Sequence, residues 1–169
     1  MVLLFCADCQ KWYDLYQAKG AEPRKPGVGD LILAINDATI AAQNAVTAAW
    51  SLGIGSCYIG DIMEQYETIH SILKLPDYVF PAVLLVFGYP TDQQKNRIKP
   101  ERAPMDVIVQ TDTYHSLSAE ELDLMISKRL GKQTPEEYTK AFCLRKYNSD
   151  FSKEMTRSVE EYLKSFNQE

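Results

Sequence analysis

The sequence predicts an α+β fold: a small mixed β-sheet sandwiched by helices, with a long alanine-rich helix at the centre. Three observations carry that prediction. Short apolar runs occur at 1–6, ending in a polar stretch, and at 54–59 and 79–87, bounded by Gly or Pro, the last too β-branched for a helix. Residues 30–52 contain no Gly or Pro and hold seven alanines, the composition of a long helix. The strands are too few, and alternate too irregularly with helices, for a doubly wound sheet. A chain of 169 residues forms one domain, 1–169, and hides about 70% of its unfolded surface.

In chain order, residues 1–6 read as a buried strand beginning at the first residue, and Asp8 is placed to cap a helix through Tyr16. Residues 20–29 carry three Gly and two Pro and read as a loop. Asp30 opens the long helix, and Gly53 follows it where a C-terminal glycine belongs. Alanines at 34, 38, 41, 45, 48 and 49 return to one side at spacings of three and four, which predicts a helix buried on most sides; Gln43 and Asn44, if inside, need partners. A glycine-flanked strand follows at 54–59, and Asp61 caps a helix to about Leu73 that Pro76 and Asp77 break. Residues 79–87 read as the central strand, 91–104 as a polar loop and 107–109 as a last short strand. Capping boxes at Ser118/Glu121 and Thr134/Glu137 start two helices, the first running to Leu130, and Ser149 or Asp150 starts a third through Phe166.

Lys and Arg number 18 against 23 Asp and Glu, a net charge of −5, which excludes charge-driven binding of nucleic acid. No apolar run approaches the roughly 18 residues of a membrane span, and residues 2–5 are too short for a signal segment. A cytoplasmic protein with no membrane partner is expected. The four cysteines, Cys6, Cys9, Cys57 and Cys143, are expected to be reduced there.

Cys6-x-x-Cys9 has the spacing of a thiol redox pair at a strand-to-helix junction, but there is no second C-x-x-C and no nearby His to complete a metal set. Two ordinary cysteines and no metal site are expected, with a thiol redox module as the alternative. Neither His70 nor His115 lies in a motif with a nucleophile, so no catalytic side chain is assigned. The pairs Glu120-Glu121, Glu136-Glu137 and Glu160-Glu161 suit helix first turns or solvated faces. Lys95, Arg97, Lys99 and Arg102 fall within eight residues of an acidic chain, which suits a small phosphate or a solvated loop. Gly53, Gly55 and Gly60 flank a strand, which lets a planar ligand approach the backbone or makes only a pair of turns.

Four blocks in order carry a resemblance: Asp37–Ala45, Ser51–Gly60, Leu75-Pro76 with Pro81–Pro90, and Lys99–Pro104. Together they resemble the FMN-dependent nitroreductase family, and the ending Arg145–Phe151 is similar to the tail of one bacterial branch. The resemblance implies a homodimer with two FMN sites, using NAD(P)H to reduce a small-molecule electron acceptor (nitroaromatic, quinone or flavin) by ping-pong hydride transfer. It implies that the backbone of Tyr58, Ile59, Gly60 and Asp61 runs past the edge of the flavin ring, and that Lys99 and Arg102 hold the phosphate. The spacing here is Lys-x-x-Arg, where many members have Lys-x-Arg. Family members begin with an Arg-Ser-x-Arg-like segment and a Pro-Ser-x-x-x-x-Gln-Pro-Trp-like loop, neither of which this chain has. The expectation is therefore a domain that is N-terminally incomplete relative to the family, by truncation, proteolysis or natural loss. A non-catalytic flavin-binding or dimerisation remnant is the alternative.

Overall fold

A computed structural model describes residues 1–167. These residues fall into two units, one made of 1–95 with the C-terminal segment from Asp150, the other of 96–149.

The first unit is built on three strands, β1 (Val2–Asp8), β2 (Gly55–Ile59) and β3 (Val79–Gly88), in the order β1-β3-β2. Both pairings are antiparallel, so the sheet is not the mixed one expected from sequence. Pro81 lies within β3, where a missing N–H normally disrupts a ladder. It is accommodated because β2 reaches only as far as Leu84, leaving β3 a single partner at Pro81, and because the register with β1 shifts there, Phe5 facing Val83 and Cys6 facing Pro81.

Helix α1 (Gln10–Ala18) follows β1 directly. Cys9 occupies its N-cap, and Asp8 contributes by accepting a hydrogen bond from the Lys11 amide at 3.1 Å. Helix α2 (Val28–Ser51) starts two residues before the expected position, with Asp30 at its third position accepting from the Gly27 amide at 2.8 Å. Its inner face is Leu31, Ala38, Ala42 and Ala49, all buried, whereas Ala41 and Ala48 are exposed. The expected alanine stripe is therefore corrected by one position in its middle. The helix is also not buried on most sides: Ile32, Leu33, Ile40 and Trp50 lie on the outer face, at 54 to 75% exposure. Ala42 and Ala49 pack on Val83, Leu85 and Phe87 of β3, with Leu3 and Phe5 of β1 beside them.

The helix expected from Asp61 is interrupted. A 3-10 turn spans Gly60–Met63, Gln65 adopts a left-handed conformation (φ 53°), and helix α3 runs Tyr66–Leu73. Short helix α4 (Asp92–Asn96) follows β3, and α7 (Asp150–Leu163) returns to this unit. Arg157 of α7 forks onto Glu67 of α3 at 2.8 and 2.9 Å and onto Glu154 of its own helix. Ser158, fully buried, donates to the Met63 carbonyl at 2.7 Å. Tyr162 meets Phe80 and Tyr66 edge-on, at centroid distances of 5.0 and 4.6 Å, within a cluster of Ala7, Leu31, Phe80 and Phe166.

The second unit holds α5 (Ala119–Ile126) and α6 (Pro135–Lys146), both opened by the expected capping boxes. Ser118 and Glu121 exchange bonds of 2.7 and 3.3 Å, and Thr134 and Glu137 bonds of 3.0 and 3.2 Å. The strand expected at 107–109 is absent: Met105–Val107 is a 3-10 turn, and the amides of Ile108 and Val109 both bond back to the Met105 carbonyl. Local closure satisfies groups that a ladder would otherwise require.

The start of α2 is set by a pH-sensitive pair. Hydrogen bonds from Arg24, one of them 2.9 Å long, and from Gly27 lower the Asp30 carboxyl to about 2. The folded value lies below the unfolded one, so the contribution is complete above about pH 4 and is lost as pH falls through about 2. With the Asp30 side chain 35% exposed, solvent screening leaves it worth about 1 kcal/mol. Asp30→Asn is expected to lower unfolding free energy by that amount at pH 7 and to flatten its decline between pH 4 and 2, both measured by urea melts; an unchanged acid limb contradicts the assignment.

Candidate functional site

Residues 53–61 form an exposed ledge at the sheet edge. β2 pairs with β3 on one side only, so its outward backbone groups have no strand partner among the described residues. Gly53 turns the chain out of α2 with φ +71°, where a side chain would be strained. Gly55 lies so close to β3 that a Cβ there would stand 3.3 Å from the Gly88 carbonyl oxygen. Gly60 differs, since a Cβ built on it would meet nothing within 4 Å. The backbone after β2 is therefore open to a flat ligand, and Gly60 adds no side chain to obstruct it.

Of the four ledge residues singled out in the sequence, Tyr58 and Ile59 end β2, while Gly60 and Asp61 open the 3-10 turn. Asp61 caps no α-helix; its carbonyl accepts from the Glu64 amide at 3.0 Å. Tyr58, 45% exposed, donates its phenol hydrogen to Gln43 Oε1 of α2 at 3.0 Å. Gln43 is not the inward-facing residue that the sequence allowed for. It is exposed, and the partner is on the neighbouring strand.

Lys99 and Arg102 belong to the second unit, in the irregular stretch between α4 and the turn at Met105–Val107. Both are exposed, and neither forms an ion pair among the described residues. Glu101, between them in sequence, is taken up by Lys128 at 3.1 Å, which leaves the two cations without a competing carboxylate from that residue. Lys95, also part of the basic cluster, is paired with Asp92 at 3.2 Å. The open backbone beside Gly60, in the first unit, fits a flat ring such as that of FMN, and the unpaired Lys99 and Arg102, in the second, fit a phosphate.

The other constellations have structural explanations. Burial first, and then neighbouring carboxylates, push the thiols of Cys6 and Cys9 up, the opposite of what a redox nucleophile needs. Among the described residues there is no group of His, Cys, Asp and Glu side chains able to hold a metal ion. His70 lies against Tyr66, ring centroids 5.0 Å apart and planes tilted by 35°, and His115 lies 3.8 Å from Glu121. No helix among these residues is long and apolar enough to cross a membrane. A cavity of about 790 Å3 opens between α1 and α2, lined by Trp12, Tyr16, Leu33 and Ala41 among others, and it includes none of the ledge residues.

The Nitroreductase family model matches residues 3–89, which include β1, α2, the ledge and β3. The chain belongs to the nitroreductase family. It is 33% identical over 136 residues to an oxygen-insensitive NADPH nitroreductase of Salmonella typhimurium, covering 80% of this chain and 51% of that protein. It is 32% identical over 119 residues to a Cr(VI) reductase of a Pseudomonas species, covering 70% and 48%. The chain thus spans about half the length of the curated relatives it matches. Among solved structures, NfrA1 nitroreductase from B. subtilis superposes with a TM-score of 0.68 at 27% identity, covering 91% of this chain and 68% of that one. B. megaterium NfrA1 gives 0.72 at 26% identity, covering 95% and 68%.

Proposed function

We propose that the chain acts as an FMN-dependent NAD(P)H oxidoreductase of the nitroreductase class, passing a hydride from NAD(P)H to a small-molecule acceptor such as a nitroaromatic, quinone or flavin. The observation that carries this reading is the open, glycine-edged ledge within the segment that matches the family. The relatives' names, an NADPH nitroreductase and an FMN reductase (NADPH), support the cofactor and the reductant.

When bound, FMN supplies the hydride relay between donor and acceptor. The chain supplies its placement. In the first unit, backbone groups from Tyr58 to Asp61 would hold the ring edge, with Gly60 leaving room for it; Lys99 and Arg102, of the second unit, would neutralise the phosphate, as the family resemblance implies. No side chain is assigned as acid or base; the rate would come from holding donor and acceptor, each in its turn, against one flavin face. The assembly proposed is a homodimer, supported by the outer stripe of α2. Ile32, Leu33, Ile40 and Trp50 share that face, spaced over about 27 Å of helix, and a monomer leaves them in water. A bacterial, cytoplasmic setting completes the proposal.

Titrating the purified chain with FMN is expected to quench flavin fluorescence, and added NADPH is expected to bleach the bound chromophore. Arg102→Ala is expected to weaken FMN roughly tenfold, the cost of one charge-assisted contact, and Lys99→Ala by a smaller factor. FMN retained without NADPH oxidation favours a non-catalytic flavin-binding module, and an absence of FMN binding overturns the proposal. For the assembly, light scattering is expected to return twice the chain mass, reduced to one chain mass by Ile40→Glu. A wild-type chain that runs as a monomer at tens of micromolar contradicts the dimer.

A further inference from the structure

The ledge rests on a strand with little holding it. β2 is five residues long, lies at the sheet edge and hydrogen-bonds to β3 alone. Glycines stand at 53, 55 and 60, so the backbone on either side of it has more conformational freedom than a strand usually keeps. Against that freedom stands, besides the ladder to β3 and packing on α2, one side-chain hydrogen bond. Tyr58 Oη donates to Gln43 Oε1 at 3.0 Å, bridging β2 and α2 across fifteen positions of sequence. Among the described residues it is the one side-chain hydrogen bond that ties β2 to another element. Gln43 itself is carried by a rigid part of the molecule, since Ala42, its neighbour, is fully buried against β3.

We infer that Gln43 is a positioning residue: by holding the Tyr58 phenol against α2 it fixes β2, and with it the Ile59–Gly60 backbone two residues on, at the height where a flavin ring is met. The inference rests on the flavin reading above and extends it to a residue that need not touch the ring. An exposed hydrogen bond between two side chains normally contributes little to global stability. Here it restricts a segment with few other restraints, so its effect falls on local order and on the ligand that needs that order, not on unfolding.

The test uses Gln43→Leu, which keeps the size and removes the acceptor, Gln43→Glu, which keeps an acceptor, Tyr58→Phe, which removes the donor, and the Gln43→Leu/Tyr58→Phe double variant. Amide hydrogen exchange across Gly55–Ile59 is expected to accelerate about fivefold in Gln43→Leu and in Tyr58→Phe, with no further gain in the double variant, while exchange in α2 and β1 stays unchanged. FMN dissociation constants are expected to rise by about the same factor in both single variants and to stay near wild type in Gln43→Glu. Unchanged exchange in Gln43→Leu overturns the anchoring. Wild-type protein that binds FMN, with Gln43→Leu binding it equally well, overturns the positioning role while leaving the functional reading intact. Additive losses in the double variant also overturn it, because the two side chains then act separately. A wild-type chain that binds no FMN overturns the functional reading, and the cofactor role of Gln43 with it.

Discussion

Ala42 and Leu85 meet at the centre of the first unit, both completely excluded from solvent, and the site depends on that contact. A methyl group is the largest side chain that position 42 can carry if α2 is to lie this close to β3, and any extra methylene must push the helix from the sheet. From the same contact, β3 acquires a helix on one face and strands on both edges, so it is held on three sides. β1 and β2 each inherit a free edge. A rigid centre and a loosely held edge are thus made by the same packing, and the edge carries the glycines.

The C-terminal helix completes this arrangement by a different kind of force. α7 contributes Tyr162 to the core, and Phe166 joins it from the turn just beyond the helix, but the position of α7 is set by Ser158 on the Met63 carbonyl and by Arg157 bridging to Glu67. Both contacts fall just beyond the ledge, on the turn and helix that follow β2. The segment after Gly60 is therefore steadied by residues some ninety positions away in the chain, while Gly60 itself stays open.

Much of this was legible in the sequence because strong local signals coincided with tertiary ones. The apolar run at 79–87 and the alanine-rich stretch at 30–52 became β3 and α2 nearly as expected, and both late capping boxes formed. The failures are equally specific. Helical periodicity set the alanine stripe one residue off in its middle, because spacings of three and four cannot separate Ala41 from Ala42 without knowing where the sheet lies. Val107-Ile108-Val109 has strand composition, yet its amides close onto Met105; β propensity needs a partner edge, and composition does not show whether one is present. The break at Gln65 has no glycine to announce it.

The site was legible in part. Glycine spacing drew attention to residues 53–60 and charge clustering to residues 95–102, because both are local patterns, while the choice of Tyr58–Asp61, Lys99 and Arg102 came from the family resemblance. Gln43 carried no such mark: its role follows from facing Tyr58, and only the packing of α2 on the sheet brings them together. The measurement that bears most directly on the account is a two-dimensional amide NMR titration of the chain with FMN. The amides expected to be perturbed are those of Tyr58, Ile59, Gly60 and Asp61 in the first unit, and those around Lys99 and Arg102 in the second. Perturbations centred instead on the cavity beside Trp12 and Tyr16, with the ledge unmoved, would contradict it.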